Sequence, residues 1–319
     1  MIRIRAALSN LLGKYSIYFV LLLLFIICWI SNERFVSAEN LRNISMQISV
    51  GTILALGETL LIISGMLDLS SASVLALSGV ISVSIYTKTG SLSLAVAVAI
   101  VVSVCCNYLN GLMVTKFRTP SFIATLAMMA MARGGALLYT GAQNIYQIGD
   151  YIILGQGSIL GIPTLAICLA GIWIVTWYLL NHTIFGRSIY AIGGNEEAAH
   201  ASGIRVNRMK MLAFVINGVF VGIAGVLFMS RVNAGLPNGA MGYEFKALTA
   251  AIIGGTSFSG GIGTASGTIA GAFIVGFLDN IMVLTGMNSY LQQIVRGAII
   301  ALAVIYDINA KTRRSQRQP

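Results

Sequence analysis

A chain of 319 residues that is 57% apolar and only 9% charged, with 35 Gly and 4 Pro, has too few charges to cover a globular surface in water. The composition specifies a polytopic integral membrane protein and excludes a soluble domain. The net charge of +10 would suggest a nucleic-acid partner in a soluble chain, but in a membrane protein its sign is first read against topology.

The N-terminal segment offers two readings. Arg3, Arg5 and Lys14 precede an apolar run, and Val36-Ser37-Ala38 resembles a signal-cleavage site. The run from Tyr15 to Ile30 is long for a signal core, however, and Glu33 and Arg34 intervene before the small residues, so an uncleaved first span is expected. Apolar runs then fall near 15–31, 44–65, 71–87, 92–114, 121–140, 162–180, 212–230, 246–259, 264–285 and 289–306. This predicts an all-α fold, a polytopic transmembrane helix bundle of about ten helices. It forms one domain over 1–319, with 15–306 in the membrane, 181–211 a cytoplasmic loop and 307–319 a basic cytoplasmic tail. The third and eighth runs are short and rich in Ser or Gly. They are candidates for broken or re-entrant segments, which need protein or a water cavity to satisfy the backbone.

Placing the N-terminus in the cytoplasm puts Arg3, Arg5, Lys14, Lys116, Arg118, Arg187, Arg205, Arg208, Lys210, Lys311, Arg313, Arg314 and Arg317 inside. Only Arg34, Arg42, Lys88 and Arg231 fall outside, so basic-residue bias orients the chain with both termini cytoplasmic and no nucleic-acid partner is expected. The second span then runs inward and the seventh outward. Spans two to five and seven to ten can therefore be read as an inverted pair, despite weak internal sequence similarity, with a pathway at their interface.

Glu58, Asp68, Arg133, Lys246, Asp279 and Arg296 fall at or near membrane depth. A charge at the helix centre costs about 2.5 to 3.5 kcal/mol on insertion scales, so each must face a cavity, a partner or the interface. Glu58 is the most deeply placed carboxylate. Glu58 and Asp279, with Asp68 nearer a span end, are candidates for lining a translocation pathway or for pairing with a buried cation. Gly263, Gly267 and Gly271 recur every four residues along the ninth run, as Gly218 and Gly222 do in the seventh, the spacing of helix packing faces.

Catalytic chemistry has no foothold. Cys28, Cys105, Cys106 and Cys168 lie in or beside apolar runs without a CxxC and read as packing residues. His182 and His200 lack ligand-like spacing, so no metal is expected, and no cofactor either. The run GGTSFSGGIG from Gly254 to Gly263 superficially resembles a phosphate-binding loop but lacks the following Lys-Ser/Thr. No Walker A, GxSxG or HExxH pattern occurs, so the chain is not an enzyme and any ATP hydrolysis belongs to another polypeptide.

Residues 186–211, GRSIYAIGGNEEAAHASGIRVNRMKM, form the longest strongly polar stretch between apolar runs. Asn195 can cap a short helix reaching Ala201, with Glu196 and Glu197 at its positive end. A solvated loop is the simpler alternative. The order Gly186-Arg187, Ala191-Ile192-Gly193-Gly194-Asn195, Ala198-Ala199 and Ser202-Gly203-Ile204 resembles the loop by which ribose-type ABC importer permeases, of the branched-chain amino acid/ribose permease superfamily, dock their ATPase. The resemblance runs from about residue 40 to residue 307. It includes Gly65-Met66-Leu67-Asp68-Leu69-Ser70, Pro120-Ser121-Phe122-Ile123-Ala124-Thr125-Leu126 with Arg133-Gly134, and Gly242-Tyr243-Glu244 through Gly254-Gly255-Thr256-Ser257. Ser71 and Ala72 depart from the family's Val-Gly after Asp-Leu-Ser, and Glu58 stands where the family more often has Met or Gln.

The resemblance implies a type II-like ABC importer permease, multi-pass in the bacterial inner membrane. It implies Arg187, Gly193, Asn195, Glu196, Glu197, Ala199 and Gly203 as ATPase-docking residues. The implied partners are a second permease subunit in a homodimer, a cytoplasmic ABC ATPase, a periplasmic sugar-binding protein and the lipid bilayer. Ribose is the default solute, with other pentoses, hexoses and the furanosyl molecule autoinducer-2 open. The alternative is an ion-coupled secondary transporter of small polar solutes, which would need a relay of intramembrane acids or His where this chain offers at most two central carboxylates.

Overall fold

The computed structural model describes the backbone of residues 2–315 and the side chains of 16–305. The N-terminal basic residues up to Lys14 and those of the 307–319 tail lie outside the described side chains. The helices in chain order are α1 (Ile2–Ser31), α2 (Ala38–Ile63), α3 (Ser71–Thr89), α4 (Leu92–Thr115), α5 (Ser121–Thr140), α6 (Ile153–Gln156), α7 (Thr164–His182), α8 (Ile184–Gly194), α9 (Glu196–Ala201), α10 (Val206–Val232), α11 (Tyr243–Ile253), α12 (Ala265–Leu284) and α13 (Ser289–Ser315). A minimal hairpin pairs Ser158–Ile159 with Ile162–Pro163.

Each of the ten apolar runs overlaps a helix, the eighth only as far as Ile253, but they are not ten equal spans. Among the described residues seven helices, α2, α3, α4, α5, α7, α10 and α12, are long and apolar enough to cross a membrane. α3, expected as a short or broken run, is one of them, at 19 residues. α11 has 11 residues, about 16 Å at 1.5 Å each, roughly half of a 30 Å hydrocarbon core.

α2 forms the axis of the molecule. Its residues from Ile53 to Ile63 are all buried, as a helix that is apolar all round requires. Where 83% of the α2 window is buried, only 22% is in α4, so α4 belongs to the perimeter. α10 packs on α3 and α4, while α2 packs on α11 and α12. α3 packs on α4 as α11 does on α12. Exchanging α2 with α10, α3 with α11 and α4 with α12 reproduces these neighbours.

A close seam lies between α4 and α10. A Cβ on Gly218 would stand 2.9 Å from the Val104 Cα and one on Gly222 2.8 Å from the Ile100 Cα, so these glycines let the backbones touch.

Two non-helical segments interrupt the bundle, 64–70 between α2 and α3 and 233–242 between α10 and α11. α5 holds both. Ser121 Oγ accepts from the Leu67 N–H and Thr125 Oγ1 from the Leu69 N–H, both at 3.2 Å. Arg133 donates to the carbonyls of Pro237 at 2.7 Å and Gly239 at 3.0 Å. Backbone groups freed from helical bonding thus find partners inside the protein, as membrane depth requires.

Candidate functional site

The polar stretch after α7 folds into two helices. Thr183 caps α8 by accepting the Gly186 N–H at 3.1 Å, and Phe185, Ser188, Ile189 and Ile192 form the buried face while Arg187 points outward. Asn195 breaks the helix in extended conformation and starts α9, its Oδ1 accepting the Ala198 N–H at 2.9 Å. Glu196 and Glu197 occupy the first turn of α9 and are exposed. Ala199 packs inward with Ile192 and Val206. Gly203, at φ +82, takes the left-handed conformation that ends α9, and the Ile204 N–H returns to the Ala199 carbonyl at 3.1 Å.

Beside α9 lies a groove of about 1280 Å³ lined by Glu196, Glu197, His200, Arg118, Arg205 and Arg208 among others. Glu196 pairs with Lys210 at 2.7 Å. The surface therefore offers an acidic helix start beside several guanidinium groups, chemistry suited to a charged protein partner.

α8 is fastened to the bundle at Gly193, which the family resemblance implies as a docking residue and which instead faces α2 and the 254–263 run. A Cβ on Gly193 would stand 1.8 Å from the Ile63 carbonyl oxygen and 2.4 Å from the Gly261 nitrogen, so only glycine fits. Gly261 N–H donates to that same Ile63 carbonyl at 2.8 Å. Tyr190 donates its hydroxyl to the Gly263 carbonyl at 2.6 Å, and burial pushes its phenol above the ordinary range. The glycine-rich 254–263 run is thus a backbone seat joining α8 to the ends of α2 and α11.

Gly263 precedes the N-cap Thr264 and so lies outside α12, packing against Ile63 and Thr256. Gly267 and Gly271 lie on α12, where added Cβ atoms would stand 2.2 Å from the Gly254 oxygen and 2.1 Å from the Ala250 oxygen. All three make close contacts, two of them on a common helix face.

Glu58 and Asp68 come together. Glu58 Oε1 accepts the Asp68 backbone N–H at 2.9 Å. Asp68 Oδ1 accepts from the Ser70 N–H at 2.7 Å and the Ser70 hydroxyl, and its Oδ2 from Asn217 Nδ2 at 2.8 Å. Asn217 Nδ2 also reaches Asn107 Oδ1 at 3.0 Å, and Asn110 Nδ2 donates to Ser70 Oγ at 3.0 Å. Glu58 and Asp68 are 2% and 1% exposed.

Asp279 belongs elsewhere. It accepts from Lys246 Nζ at 2.7 Å and from Arg296 Nε, joining α11, α12 and α13. The cluster borders a cavity of about 540 Å³ whose wall also includes Phe245, Thr249, Met282, Gln293 and Ile300. Lys246 and Arg296, which sequence reading left single, are the cationic partners. Their spacing along the chain carries no periodic signal that could have paired them.

Residues 40–304 match the family described as the branched-chain amino acid transport system permease component. The chain is 38% identical over 305 residues to the ribose import permease protein of Escherichia coli strain K12, covering 93% of this chain and 94% of that protein. It is 36% identical over 302 residues to the ribose import permease protein of Bacillus subtilis strain 168, covering 94% of each. The L-arabinose transport system permease protein of Escherichia coli strain K12 is 36% identical over 295 residues, 92% of this chain and 90% of that one. A bundle of candidate membrane spans and a family match over residues 40–304 lead to one conclusion: the chain belongs to the branched-chain amino acid transport system permease family.

Proposed function

We infer that this protein is the membrane-spanning subunit of an ATP-driven importer of a monosaccharide, of the pentose type named for its ribose and L-arabinose relatives. The observation that carries the reading is the α8–α9 unit: its polar face is exposed beside a charged groove while Gly193 and Tyr190 bind its other face to α2 and the α11–α12 connection. An ATPase gripping α9 would pull directly on the helices that border the Asp279 cavity. Arg187, Asn195, Glu196, Glu197 and Gly203 would form or shape the grip, with Ala199 packed beneath it.

In this reading both termini and α9 are cytoplasmic, following the basic-residue bias, and a second copy of the chain completes the pathway. Asp279, Lys246 and Arg296 form its polar wall, whereas Glu58 and Asp68 sit behind it. A periplasmic binding protein supplies selectivity, so the pathway itself binds sugar weakly. ATP-driven closure shifts the population between outward-open and inward-open states.

Reconstitution tests this. Proteoliposomes holding the permease with its ATPase and sugar-binding protein should accumulate a pentose only with ATP, and permease alone should not. Robust solute counterflow by the purified permease alone, with carrier kinetics, would count against an ATP-driven mechanism.

A further inference from the structure

The network around the break between α2 and α3 has a defined hydrogen-bond direction. Asn217 Nδ2 faces the Asp68 carboxylate and Asn107 Oδ1, so its amide cannot be flipped without setting oxygen against oxygen. Asn107 Nδ2 is committed to the Ser103 carbonyl at 3.2 Å, and Asn110 Nδ2 to a Ser70 hydroxyl that itself donates to Asp68. Two of the three amide donors thus converge on Asp68, that of Asn217 directly and that of Asn110 through Ser70. Three oxygens, Glu58 Oε2, Asn110 Oδ1 and Asn217 Oδ1, are buried without a hydrogen-bond partner among the described residues.

The two carboxyl groups are unequally served. Asp68 accepts three hydrogen bonds, whereas Glu58 accepts one and leaves Oε2 bare. Every element around the pair contributes neutral groups: Ser70 from the break, Asn107 and Asn110 from α4, Asn217 from α10 and Thr125 from α5. Cys106 on α4, near Asp68, is the other titratable group in reach. Among the described residues no Lys, Arg or His forms an ion pair with either carboxyl group. Two adjacent carboxylates cannot both stay charged in such a place.

We propose that Glu58 carries a proton in the folded permease, making the α2–α3 break a buried proton site with Asp68 as its ionised neighbour. The proton exchanges with bulk water and adds an O–H donor to a network otherwise rich in acceptors. Glu58 then holds the Asp68 N–H as a neutral group, as a glutamine would. Removing that proton at alkaline pH would leave two buried carboxylates side by side, which weakens the folded permease there. This goes beyond the transport reading and does not depend on it.

The test uses full-length permease in nanodiscs, with the proton itself as probe. Infrared spectra at neutral pH should contain a protonated-carboxyl carbonyl band that is lost in Glu58→Gln and survives in Asp68→Asn. Wild type should lose several degrees of melting temperature from neutral to alkaline pH that Glu58→Gln does not lose. Absence of a Glu58-dependent band, or parallel melting profiles, overturns the proposal. So does a melting temperature raised by sodium over choline in wild type alone, because a metal ion would then hold the proton's place. Should Glu58→Gln fail to fold, the wild-type band remains readable: its survival in Asp68→Asn supports Glu58 as carrier, and its absence from wild type at neutral pH overturns the assignment.

Discussion

At the scale of single residues, backbone proximity decides the sharpest expectation. Gly193 meets the Ile63 carbonyl and the Gly261 nitrogen, both backbone atoms that cannot rotate away. Gly193→Val should therefore lever α8 from its seat, at an overpacking cost of about 1 to 3 kcal/mol. The expected result is retained membrane insertion with uptake largely lost, read by a transport assay beside a quantitative blot. Normal uptake would show that α8 moves independently of α2. Glu196→Lys with Glu197→Lys acts differently. It sets positive charge at the positive end of α9, worth about 0.3 to 1 kcal/mol of opposition. The Glu196–Lys210 pair contributes little beyond this, because Glu196 is 56% exposed and solvent-screened. The double variant should insert normally but fail to co-purify with the ATPase; full co-purification and uptake would remove α9 from the docking role.

At the scale of elements, the molecule depends on seams made by small residues and on α5 as a brace. Gly267→Leu would force apart α12 and the end of α11, since the Gly254 oxygen already stands 2.2 Å from the first added carbon. It should lower the yield of assembled permease without changing which sugar is taken up; a stable complex with altered preference would move this face onto the pathway. Arg133→Gln removes charged donors from the Pro237 and Gly239 carbonyls. Hydrogen bonds from charged groups are worth about 1.5 to 3 kcal/mol, so segment 233–242 should exchange its amide protons faster, measurable by mass spectrometry while the α2–α3 break stays protected. Uniform exchange across both segments would show that α5 does not brace this one.

At the scale of the whole molecule, the polytopic membrane class was legible from composition alone, because bilayer thickness converts apolar run length directly into spans. The ten runs, the Asn195 cap and the Gly218–Gly222 face followed from local rules of helix length, capping and small-residue spacing. The pairing of Glu58 with Asp68 was not legible: it depends on a seven-residue break folding the chain back along α2, and periodicity says nothing about return paths. Nor was the link from Asp279 to Lys246 and Arg296, which joins three helices. Asn107, Asn110 and Asn217 in apolar runs were the available signal of a buried polar network, but which groups their amides serve is set by helix crossings. By itself the sequence determined what must be local, namely which stretches form apolar helices and where they cap. Only the tertiary structure decided which buried charges meet and that Gly193 fastens α8 to the bundle, because those contacts arise between segments far apart in the chain.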